Sequence, residues 1–82
     1  MNDKSKVTTT QPFDILDSTP LFSVNAGVPV ADALERAADL TMYVESLAAA
    51  DGLVDKTQER AVIQHLSEMA KALIQACKGA AA

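Results

Sequence analysis

The sequence predicts an all-α fold: an N-terminal extended arm, then an antiparallel two-helix hairpin that pairs with a second copy into a four-helix bundle dimer. Three observations carry this prediction. Apolar residues recur at three- and four-residue spacing over two long stretches, Pro29 to Ala50 and Asp55 to Lys78. Helix punctuation (Pro29, the Asp51-Gly52 pair, Gly79) falls at the ends of those stretches. The apolar face of each stretch is also broader than one partner helix covers.

The chain divides into residues 1–20, a disordered or irregular arm, and residues 21–82, the helical hairpin domain. Met1 to Gln11 is polar and reads as a tail. From Pro12 to Pro20 the apolar residues Phe13, Ile15 and Leu16 alternate with Pro12, Asp17, Ser18 and Pro20, which argues against a regular element. Leu21 to Val24 is short and apolar; as a strand it would have no partner within the chain, so it would pair with another molecule or lie extended across the helices. Asn25-Ala26-Gly27 is a turn.

The first helix is expected over about 29–50. Proline suits the first helical turn, where its missing N–H would have been unpaired, and Asp32 and Glu35 favour the positive end of the helix dipole. The inward positions are Val30, Leu34, Ala37, Thr41, Val44 and Ala48, and a second stripe, Ala33, Ala37, Leu40, Val44 and Leu47, lies beside them, the two together making one wide apolar face. Gly52 supplies a left-handed stop. The second helix is expected over about 55–78, opened by Asp55 with Gln58 at capping-box spacing and ended by Gly79. Its inward stripe is Val62, Leu66, Met69, Leu73 and Ala76, flanked by Ile63, Ala70, Ile74 and Cys77. A connection of a few residues makes the two helices antiparallel neighbours.

Composition explains why such a chain seeks company. With 82 residues, 49% of them apolar but only 4% aromatic, the core is built largely from alanine, which buries little area. A single cysteine excludes an internal disulfide and a single histidine makes a zinc site implausible. Oligomerisation is the stabilising route that remains. The net charge of −4 and the absence of a basic cluster argue against nucleic acid. No signal peptide and no apolar run of membrane-spanning length is visible, which points to a cytoplasmic protein without membrane contact.

Chemistry-bearing residues are few. His65 on the second helix lacks a nucleophile and an orienting carboxylate arranged around it, so a surface or interface role is expected. Cys77 falls beside the apolar stripe and reads as a packing thiol. Asp32, Glu35 and Asp39 form a solvated acidic face. No phosphate loop, metalloprotease motif or nucleophile elbow occurs. No catalytic, cofactor-binding or metal-ligating residue is therefore assigned.

The run Leu21-Phe-Ser-Val-Asn-Ala-Gly-Val-Pro-Val-Ala-Asp-Ala-Leu-Glu35, followed by Ala37-Ala-Asp-Leu40, resembles a family of very short pseudomonad proteins known only as a domain of unknown function. The likeness is looser over His65-Leu-Ser-Glu-Met-Ala-Lys-Ala-Leu73. The resemblance implies a small bacterial helical protein and supplies no functional residues.

The expected function is a non-enzymatic, self-associating interaction or regulatory module. Its interface is assigned to Phe22 and Val24 from the arm and to Leu40, Val44, Leu47, Ile63, Leu66 and Ile74 from the helices. The alternative is a small subunit or inhibitor that docks on a larger protein partner through the same apolar flank, with residues 21–24 added as a strand.

Overall fold

The segment that reads as an irregular arm is an antiparallel β-hairpin. In the computed structural model, which describes residues 6–50 and 55–81, strand β1 (Gln11–Leu16) pairs with β2 (Thr19–Val24), and two helices follow, α1 (Val30–Ala50) and α2 (Lys56–Ala81). The chain is therefore not all-α. The strand at Leu21 to Val24 finds its partner immediately upstream, with Phe13 opposite Phe22 and Leu16 opposite Thr19.

Two features hid the hairpin from a sequence reading. Its loop is only Asp17-Ser18, both residues in the left-handed region (φ 49° and 70°). That is the backbone of a two-residue type I′ connection, normally signalled by Asn-Gly or Asp-Gly. The second feature is the pair of prolines, which looked like strand breakers. Pro12 lies opposite Ser23 and Pro20 opposite Ile15. Proline cannot donate to the ladder and is tolerated where its nitrogen faces outward. Pro12 and Ile15 are three residues apart, so regular alternation would turn one proline site inward. Between them Asp14 adopts φ 58°, and pairing resumes beyond it in the same register. Aspartate tolerates that conformation better than most residues.

A clasp formed by the preceding segment joins the hairpin to the helices. Thr8 is 2% exposed. Its hydroxyl donates to the Asn25 carbonyl oxygen (2.7 Å) and accepts from the Val28 amide (3.1 Å). Its backbone N–H donates to Val28 O, and its carbonyl accepts from Gly27 N. Gly27 has φ 91°, which the turn requires and L side chains rarely adopt. Next to the clasp, Lys6 O accepts the otherwise orphaned amide of Val30 at the start of α1, while Pro29 O accepts the first intrahelical bond from Ala33.

The two helices meet along heptad-spaced positions. Ala33, Ala37 and Leu40 of α1 are buried and Val44 and Leu47 half-buried; on α2 the matching series is Glu59, Ile63, Leu66, Ala70, Leu73 and Cys77. The stripe expected beside the inward one is thus the seam, and Leu34, Thr41 and Ala48, expected to face inward, are exposed. On α2 the expected flank Ile63, Ala70 and Cys77 turns inward instead of Val62 and Met69. Asp55 caps α2, its Oδ1 accepting the amides of Thr57 (2.8 Å) and Gln58 (3.4 Å). The expected stop at Asp51-Gly52 lies outside the described residues.

Gly79 does not end α2, which runs through Ala81. Thr9 donates from its backbone N–H to Ala76 O (3.1 Å) and crosses the helix at Gly79, where a Cβ would sit 2.5 Å from Thr9 Oγ1. The glycine is there to admit the crossing segment. The resulting molecule is flat, 46 × 33 × 14 Å, with α2 between α1 and the hairpin. Among the described residues no element stacks over the α1–α2 pair.

Candidate functional site: the two open sides of α2

Because α2 is flanked by α1 along one side and by the hairpin along nearly the opposite one, two of its long sides remain open. They differ in chemistry. One carries Val62 and Met69, with the seam residues Leu66 and Leu73 half-buried along its α1 edge, and no charged residue among the four. Val62 is 42% exposed and Met69 39%. The other side carries Lys71 and Lys78 around the half-exposed Ile74, with Arg60 further toward the start of α2.

At the hairpin end of the charge-free side lies an apolar cleft of about 380 Å³, walled by Phe13, Phe22 and Met69, with His65, Asp14 and Glu68 at its borders. Phe13 and Phe22 are cross-strand partners whose ring centroids are 5.7 Å apart, tilted by 30°. Such a pair favours the register that brings it together. Phe22 is nonetheless 56% exposed. A shallower groove of about 360 Å³ runs along the lysine side between α1 and α2, with Val44, Ala70 and Ile74 among its apolar lining and Lys71 and Lys78 on its α2 wall.

The eight residues assigned from sequence to one interface are not gathered into one surface. Leu40 is buried in the seam at 6% exposure, packed with Ala37, Ala70 and Leu66. Val44, Leu47, Ile63 and Leu66 are half-buried at seam positions, and Val44 also borders the groove. Val24 is half-buried opposite Gln11. Phe22 and Ile74 are well exposed but sit at the cleft and the groove, on different sides of α2. Sequence reasoning missed Val62, Met69 and Phe13. The first two stand in a stripe visible in the sequence, but that stripe was assigned inward.

The chemistry-bearing side chains are placed as follows. His65 is exposed beside the cleft. Cys77 is buried at 7% exposure, its Sγ 3.9 Å from the Val30 carbonyl oxygen, and burial pushes its thiol pKa up. A thiol held in the protonated form is a poor nucleophile. Glu59 occupies the seam position nearest the start of α2, with Oε1 3.4 Å from Lys56 Nζ and Oε2 unpartnered among the described residues. Among the described residues no three His, Cys, Asp or Glu side chains gather as a metal site requires, and no helix is long and apolar enough to cross a membrane.

The hairpin edges bear on recognition by strand addition. Each strand carries one proline, a residue that blunts an edge against further pairing. The hairpin is thus better equipped to offer side chains than backbone.

A family model described as "Protein of unknown function (DUF3077)" matches residues 8–78, which span the clasp, the hairpin and most of both helices. No curated protein and no solved structure matches the chain.

Proposed function

The chain belongs to the DUF3077 family of proteins of unknown function, and we propose that it works as a non-enzymatic interaction module of the cytoplasm that forms a homodimer through the charge-free side of α2. The observation that carries the proposal is the exposed pair Val62 and Met69, flanked by the half-buried Leu66 and Leu73, running up to the Phe13–Phe22 cleft. Large apolar side chains of this kind contribute about 1.5–3 kcal/mol each when fully buried, and here Val62 and Met69 are left near water. In a two-fold contact the same patch meets itself. A neutral stripe can do so; the lysine side would set like charges against each other, at a cost of several kcal/mol. Two copies joined in this way bring four helices together, with the hairpins alongside and the lysine sides facing outward.

Sedimentation equilibrium over a dilution series tests the proposal. A mass of two chains persisting into the low micromolar range is expected. A well-folded monomer at millimolar concentration would contradict it.

A further inference from the structure

The lysine side, which self-association would leave open, has the makings of a second recognition surface. The groove floor is apolar, with Val44, Ala70 and Ile74 contributing. Lys71 and Lys78 are one heptad apart on its α2 wall, so they rise on the same side about 10 Å from each other. Arg60, eleven residues before Lys71, has nearly the same azimuth. None of the three has an ion-pair partner among the described residues, although the chain as a whole carries net charge −4. Three of the seven basic residues of an acidic chain therefore share one side of α2, unpaired among the described residues, two of them flanking the exposed Ile74.

We propose that this groove receives an acidic amphipathic helix from a partner protein. A third helix laid between two antiparallel ones meets the groove floor with apolar residues at i, i+3, i+4 and i+7, and carboxylates one heptad apart on its flank match the Lys71–Lys78 spacing. A nucleic-acid strand fits worse: three cations are a thin electrostatic footprint for phosphates, which have no use for the Val44–Ile74 floor. A second copy joined by two-fold symmetry would place lysine opposite lysine.

The test uses two synthetic helical peptides with leucine at heptad positions, one flanked by glutamates and one by lysines, titrated onto the full chain by fluorescence anisotropy. The glutamate peptide should bind about tenfold more tightly than the lysine peptide, with an advantage that shrinks as salt rises. The double variant Lys71→Glu/Lys78→Glu, altered only at exposed positions, should reverse the preference while keeping its circular dichroism and its solution mass. That unchanged mass separates this groove from the self-association surface. Equal binding of both peptides, no binding of either, or no reversal in the variant would overturn the proposal. So would tighter binding of a single-stranded oligonucleotide than of the glutamate peptide, or wild-type assembly beyond a dimer that the double variant abolishes.

Discussion

The seam between α1 and α2 and the surface around the hairpin differ in what they bury. The seam buries small residues: Ala33, Ala37 and Ala70 are each 6% exposed or less, with Leu40 the largest buried side chain beside them. Around the hairpin the side chains are large and left open: Ile15, Leu16, Leu21 and Phe22 are all more than half exposed. Small residues let two helices approach closely, but an alanine methyl contributes under ~1 kcal/mol where a leucine or phenylalanine contributes about 1.5–3. The alanines of the seam, with Leu40, are thus its most completely buried apolar residues, its larger members Val44, Leu47, Ile63, Leu66 and Leu73 are half-buried, and the hairpin's large side chains stay more than half exposed. No large side chain among the described residues is fully buried.

Substitutions on the two sides should separate fold from assembly. The largest effect is expected in the seam: Leu40→Ala should cost about 2–5 kcal/mol, enough to abolish the cooperative urea transition followed by circular dichroism. On the open side, Met69→Asp should leave helix content intact but raise the dimer dissociation constant at least 100-fold, because it sets a charge in an apolar contact at a cost of several kcal/mol. Loss of helix content in Met69→Asp would merge the two regions and blunt the distinction. The clasp comes next. Thr8→Val removes the hydroxyl that serves both Asn25 O and Val28 N, and leaving those groups unpaired should cost ~1–3 kcal/mol in the same urea assay. The smallest effect is a gain: Ser18→Gly relieves a left-handed non-glycine residue in the hairpin loop and should stabilise by up to ~1 kcal/mol, seen as a higher melting temperature.

Much of the helical half was legible in the sequence. Pro29, the three-and-four spacing and Asp55 mark positions that physics restricts strongly, and α1 and α2 begin within one residue of the expected 29 and 55. Choosing between adjacent stripes was harder, because Val62 and Met69 satisfy helical periodicity as well as Ile63 and Ala70 do. Tertiary contact decided: alanine at 70 permits the close approach, and the hairpin claims the far side. The hairpin itself was obscured because a left-handed serine stands where glycine normally announces the loop, and because each strand carries a proline, which reads as a strand breaker. Gly79 misled for the converse reason, since a glycine admitting a crossing segment looks the same in sequence as one ending a helix. The candidate surface was half legible. Its residue types were evident, but which of them the fold would use up was not.

The most direct test of the account is an isotope-filtered NOE experiment on a mixed sample, half labelled with ¹³C-methyl methionine and valine and half unlabelled. Met69 and Val62 methyls are predicted to show intermolecular NOEs to the cleft residues Phe13 and Phe22 or to the Leu66–Leu73 stripe of the other copy. A dimer whose intermolecular NOEs come instead from the groove around Val44, or a sample with none at all at millimolar concentration, would contradict the assignment of the charge-free side of α2 to self-association.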